Sequence, residues 1–162
     1  MTQLTAYVIT VSDRSFDGVR EDRGGPLAVG LLRDAGFSCA DAEVVPDGAR
    51  SVEDALRRAV ATGARLIITT GGTGVGPRDE TPEGTRPVVT REIPGVAEEL
   101  RRSGLADTPL SVLSRGVAGI ADPEGALIVN LPGSTRAVAS GVPIVLGVAA
   151  HVIEQVAGGD HS

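Results

Sequence analysis

The apolar run RLIITT ends at Thr70 and empties, with no spacer, into GGTGVGPRDETPE, where four glycines fall within the six residues from Gly71 to Gly76. A β-branched run of this length reads as a buried strand, and glycines at its carboxyl end allow a tight loop of backbone. Strand-then-loop units recur along the chain. LTAYVITV (residues 4–11) runs into the polar stretch SDRSFDGVREDRGG, CADAEVV runs into PDGA, and ALIVNL (126–131) runs into Pro132-Gly133-Ser134. Helix signals lie between them. Pro26 and Gly36 bracket one helix, and Ser51 is a candidate N-cap for a second that carries Val52, Ala55, Leu56, Ala59 and Val60 on one face as far as Gly63. Thr81 and Pro82 look like the N-cap and first residue of a third, VAEELRRSG is a helix stopped by Gly104, and Val145, Ala149, Val152, Ile153 and Val156 mark an amphipathic last one. This alternation predicts an α/β fold: a three-layer domain with a mostly parallel sheet flanked by helices. Ligands of such sheets bind outside the carboxyl ends of the strands, which is where the loops after Val45, Thr70 and Leu131 depart.

At 162 residues, with no linker, repeat or low-complexity segment, the expectation is one domain over residues 1–162. Three aromatic residues give no platform for stacking bases, and a net charge of −6 argues against nucleic acid or an anionic membrane as partner. Cys39 is the one cysteine, so there is no intrachain disulfide, which suits a reducing cytoplasm. The N-terminus lacks the pattern of a signal peptide, and no later run reads as long enough to cross a membrane, so the expected location is cytoplasmic. His151 and His161 have no ligand cluster nearby, and Arg57-Arg58 and Arg101-Arg102 read as solvated helix faces.

The glycine loop is not a P-loop, because Pro77 and Arg78 stand where lysine and a hydroxyl residue are required, and it is one residue short of the dinucleotide fingerprint. The glycines alone admit two readings, a cradle of N–H groups for an anion or a plain surface turn. Asp79, Glu80 and Glu83 follow at once. They would repel a bare phosphate but could hold magnesium bridging to one, while Glu80 and Glu83 also suit the positive end of the next helix. Pro132-Gly133-Ser134, opening a helix and followed by Arg136, offers N–H groups, a hydroxyl and a cation to a phosphate, and Ser134 is equally a simple N-cap.

Taken together, VSDR, VPDG, TTGGTG leading into RDETPE, SRGVAGI from Ser114 and NLPGSTRAV from Asn130 resemble the molybdopterin adenylyltransferase (MogA/MoaB) family of molybdenum-cofactor biosynthesis, in family order and over most of the chain. The segment REIPG with Arg91, Gly95, Glu98 and Arg101 or Arg102 is similar as well. The resemblance implies transfer of AMP from Mg-ATP to the terminal phosphate of molybdopterin with release of pyrophosphate, in an assembly of three or six copies, alongside other molybdenum-cofactor proteins. It implies Asp47 and Asp79 as catalytic residues and magnesium ligands. It implies Gly71, Gly72, Thr73, Gly74, Thr81, Pro82 and Glu83 on the ATP side. On the molybdopterin side it implies Ser12, Asp13, Arg14, Ser114, Arg115, Pro132, Gly133, Ser134 and Arg136. Three positions depart from the family pattern: Glu80 replaces an apolar residue and adds charge near the metal, Gly24 replaces a small hydroxyl residue, and Thr135-Arg136 replaces Pro-Lys. A relative that has kept the pocket as a non-catalytic molybdopterin-binding or scaffold protein is the alternative, and retention of both aspartates weighs against it. A molybdate-inserting enzyme is a further alternative, but such proteins carry additional domains.

Overall fold

The computed structural model describes residues 2–159. Its centre is three parallel strands, β1 (Thr5–Val11), β4 (Leu66–Thr70) and β7 (Ala126–Leu131), in the spatial order β1-β4-β7. Every residue of β4 and β7 is buried, as expected of strands covered on both faces. Their side chains alternate between two cores. Leu66 and Ile68 with Leu127, Val129 and Leu131 meet α2 (Gly24–Asp34), α5 (Pro94–Gly104) and the long α6 (Thr135–Val156) on one face. Ile67 and Ile128 meet Val52, Ala55, Leu56 and Ala59 of α3 (Ala49–Ala61) on the other. The three-layer α/β architecture expected from the sequence is the one observed.

The stretch CADAEVV is not one strand but two, β2 (Ser38–Cys39) and β3 (Glu43–Val45), both parallel to β1. Arg33 breaks the run, donating from Nε to the Cys39 carbonyl at 2.8 Å and from Nη2 to Asp41 at 3.1 Å. Two antiparallel strands had no sequence signal: β6 (Ala118–Ala121) beside β7, and the edge strand β5 (Arg91–Glu92) beside β6. A 3₁₀ turn over Pro109–Leu113 precedes β6, and a single helical turn, α1 (Asp13–Phe16), follows β1.

Helix starts differ from the sequence reading at two functional places. α3 begins at Ala49 with Gly48 (φ +115) as its cap residue, so Ser51 lies inside the first turn and donates to the Pro46 carbonyl at 2.7 Å. The Ala49 N–H is capped from a distance by Glu80, whose Oε2 accepts it at 2.9 Å. In the short α4 (Thr81–Thr85) the cap position is Glu80 rather than Thr81, because the Thr81 hydroxyl donates to the Gly71 carbonyl at 2.8 Å. At 22 residues and mean hydropathy 1.7, α6 is by length and composition able to cross a membrane, which the sequence reading missed. Here its stripe from Val138 to Ile153 packs on the sheet as a core helix. His161 lies outside the described residues.

Candidate active site

Register decides which loops meet. Thr10 aligns with Thr70 on β4, Thr70 with Leu131 on β7, and Val11 with Val45 on β3, so the loops after residues 11, 45, 70 and 131 leave one edge of the sheet side by side. The glycine loop passes between neighbours too close for side chains. A Cβ on Gly71 (φ +98) would fall 2.2 Å from the Val11 carbonyl oxygen, and one on Gly72 (φ +67) 2.3 Å from the Thr81 hydroxyl. Only glycine tolerates both the conformation and the space.

A buried polar network holds this loop from behind. Asn130 on β7 donates from Nδ2 to the hydroxyls of Thr69 and Thr85, each at 3.0 Å, and accepts the Val117 N–H at 3.0 Å. Thr85 donates to the Thr81 carbonyl, and Thr81 in turn donates by hydroxyl and N–H to the carbonyls of Gly71 and Gly72. Sequence reasoning gave Asn130 no role, although a polar residue inside the apolar run ALIVNL is the signal that marks it. The loop's own N–H groups point elsewhere. Those of Gly72, Thr73, Gly74 and Val75 have no protein acceptor among the described residues, while Gly76 donates to Asp79 Oδ2 at 2.9 Å. Consecutive amides left without protein acceptors are able to receive an anion.

The two aspartates stand at this loop. A Cβ on Gly72 would lie 3.2 Å from Asp47 Oδ1, and one on Gly74 2.9 Å from Asp79 Oδ2. Asp47 and Asp13 also exchange backbone bonds: Asp13 N–H donates to Asp47 Oδ2 at 2.8 Å, and Asp47 N–H to Asp13 Oδ1 at 3.0 Å. Burial pushes the Asp47 carboxyl above its ordinary value, reinforced by the charges of Asp13 and Asp79 and opposed by the Asp13 N–H and Arg78. Asp13 is held low, chiefly by the Arg78 fork, which donates to both its oxygens at 3.1 Å and to the Asp47 carbonyl at 2.8 Å.

Two cavities flank the loop. One of about 530 Å³ is lined by Gly71 to Gly74, Asp79, Ser114, Pro132, Gly133, Ser134 and Arg136, with Leu110 and Leu113 of the 3₁₀ turn as an apolar wall. The second, about 420 Å³, is lined by Ser12, Ser15, Arg20, Glu21, Asp22, Arg23 and Thr70, and it shares Gly71, Gly133 and Ser134 with the first. Ser134 caps α6, its Oγ accepting the Ala137 N–H at 3.1 Å, and still faces both cavities. Arg136 has no ion pair among the described residues.

Several expected site residues do not line either cavity, among them Asp47, whose Oδ2 is taken by the Asp13 N–H. Thr81 and Pro82 are buried behind the glycines, and Glu83 is paired with Arg115. Arg14 is exposed on α1, and Asp13 is engaged by Arg78 as described. Glu80 caps α3, so its charge is directed at a helix N-terminus. Arg101 is not a solvated residue, since its Nη1 donates to the carbonyls of Ser114 and Gly116.

Fold and site define a class: an α/β domain with a glycine loop of free amides and two aspartates at the carboxyl edge of a parallel sheet. The chain belongs to the family described as a probable molybdopterin binding domain, which matches residues 7–151. It is 36% identical over 150 residues to a molybdopterin adenylyltransferase of Pyrococcus furiosus, covering 91% of this chain and 88% of that protein. It is 40% identical to a molybdenum cofactor biosynthesis bifunctional protein of Synechococcus elongatus, covering 96% of this chain but only 48% of that one, so it spans about half the length of this relative. The molybdopterin biosynthesis Mog protein of Mycobacterium ulcerans superposes with a TM-score of 0.89 at 44% identity, over 98% of this chain and 99% of that one.

Proposed function

We propose that the protein transfers AMP from Mg-ATP to the terminal phosphate of molybdopterin, releasing pyrophosphate. The observation that carries this reading is the run of four amides without protein acceptors, at residues 72–75, with a carboxylate beside each end of it. The residues fit a magnesium-bound nucleotide. Magnesium is ordinarily held by one or two carboxylates plus substrate phosphates, and the charge of Asp79 is near enough to help push the Asp47 carboxyl up. Magnesium bound there would screen the mutual repulsion of the two reacting anions.

The chain's own residues do the positioning. The attacking phosphate oxygen is already ionised, so no general base is required, and the task is to hold two polyanions in line. The amides of Gly72 to Val75 would bind the nucleotide phosphates, while Asp47 and Asp79 would fix the metal. Ser134 and Arg136, at the opening of α6, would hold the molybdopterin phosphate where the two cavities meet. The polar second cavity, with Ser12, Arg20 and Arg23, supports binding of the rest of that substrate. Assembly into trimers or hexamers belongs to the same proposal.

The test is pyrophosphate release from Mg-ATP with and without molybdopterin. Release should depend on molybdopterin and fall roughly 100-fold or more in Asp79→Asn, the scale on which lost transition-state charge stabilisation is felt. Full activity in that variant would remove Asp79 from the mechanism. Molybdopterin binding without pyrophosphate release would leave the binding or scaffold reading.

A further inference from the structure

Arg115 holds the glycine loop at two successive carbonyls. Its backbone N–H donates to the Thr73 carbonyl at 2.8 Å and its Nε to the Gly74 carbonyl at 2.8 Å. Its Nη2 donates to the Asp79 carbonyl at 2.6 Å, and its Nη1 to the carboxylate of Glu83 on α4. Arg101 steadies it from behind through the carbonyls of Ser114 and Gly116, the residues on either side. One guanidinium therefore joins the glycine loop, the acidic loop and α4.

A trans peptide unit is planar, with its C=O and N–H pointing in opposite directions. A Thr73 carbonyl turned toward Arg115 therefore turns the Gly74 N–H away from it, and the Gly74 carbonyl does the same for the Val75 N–H. These two N–H groups have no protein acceptor among the described residues. Gly74 lines the 530 Å³ cavity and Arg115 does not, lining instead a separate cavity with Arg86 and Arg101. Carbonyl oxygens swung toward the first cavity would present negative charge to an incoming phosphate.

We propose that Arg115 is a positioning residue, which turns the carbonyls of Thr73 and Gly74 out of the cavity so that the amides of Gly74 and Val75 face the nucleotide phosphates. It acts without touching the ligand, which differs from the molybdopterin contact implied by the family pattern. The proposal rests on the reading of this loop as a phosphate site. Arginine suits the task because its planar fork presents several donors in fixed geometry, whereas lysine supplies the charge without the fork.

The experiment uses the full chain and the variants Arg115→Lys, Arg115→Ala and Glu83→Gln. Three quantities are read: amide hydrogen exchange without ligand at Gly71, Gly76 and Thr81, the amides that tie the loop to Leu131, Asp79 and Gly72, and calorimetric affinity for Mg-ATP and for molybdopterin separately. Exchange in the loop should rise while β4 and β7 stay protected, which also shows that each variant is folded. Mg-ATP affinity should fall roughly 10- to 100-fold in both arginine variants, the lysine included, and less in Glu83→Gln, with molybdopterin affinity changed by no more than about twofold. Unchanged exchange in the loop, full rescue by lysine, or loss confined to molybdopterin binding would each overturn the proposal. If wild type fails to bind Mg-ATP, the nucleotide reading falls and takes the phosphate role of Arg115 with it, whereas unchanged loop exchange overturns the clamp even if wild type binds.

Discussion

Asp47 is a carboxylate held in an unfavourable place. It is half-buried and faces the charges of Asp13 and Asp79, and its carboxyl is pushed above the ordinary aspartate value, with burial as the largest cause. The sign follows from linkage. A carboxyl whose folded pKa exceeds its unfolded one costs stability wherever it is ionised, and that cost vanishes as pH falls below both values. Asp47→Asn keeps an oxygen to accept the Asp13 N–H and removes the charge. Without metal, this variant should melt higher than wild type at pH 7–8, by about 2–4 °C for each kcal/mol recovered, and the advantage should vanish near pH 4. Scanning calorimetry in a chelating buffer checks it. A lower melting temperature at neutral pH would mean that the charge is compensated by a contact not described above. The same variant should lose magnesium-dependent pyrophosphate release, so stability and activity would move in opposite directions, as they often do at functional sites.

The elements that carry the site are β7, β4 and α4, joined through Asn130. Asn130→Ala would leave the Val117 N–H without its acceptor and the hydroxyls of Thr69 and Thr85 without their donor, all in a buried place. Each buried group left unpaired costs about 1–3 kcal/mol, so denaturant melts should show a loss of a few kcal/mol with the m-value unchanged. A loss below about 1 kcal/mol would show that the network relaxes around the gap. What could be read at this scale followed local signals. The strands β1, β4 and β7 announce themselves as apolar runs, and each empties into the loop that forms the site. β6 is four residues of Ala-Gly-Ile-Ala and β5 two exposed residues, so their strand character comes from pairing with β7 and with each other. The start of α3 was misread for a similar reason: its capping carboxylate, Glu80, is 31 residues away in sequence, and Ser51 is the better local candidate.

For the whole molecule, the sequence indicates which loops meet at one edge of the sheet, because strand ends and glycine turns are local. It did not reveal which cations serve the site and which hold it together. Arg78 and Arg115 both stand in motifs, yet their partners, Asp13 in one case and Gly74, Asp79 and Glu83 in the other, lie more than thirty residues away. These pairs also set the response to acid. Asp13, Glu83, Glu99 and Asp122 are each held below their ordinary values, first by hydrogen bonds from Arg78, Arg115, Arg102 and Arg91. A depressed folded pKa contributes stability that is present above the unfolded values, 3.8 for aspartate and 4.5 for glutamate, and is lost as pH falls through the folded ones. Asp47 works against this trend, since protonation relieves it. Four groups outnumber one, but all four are substantially exposed and screened, so each contributes modestly. The melting temperature should therefore be nearly flat from pH 8 to 6 and fall below about pH 5, with a shallower fall at about 1 M salt, where surface pairs are already screened. A melting temperature that climbs as pH drops from 6 to 4 would show that the buried repulsion around Asp47 outweighs the surface pairs, and Asp47→Asn should then abolish the climb.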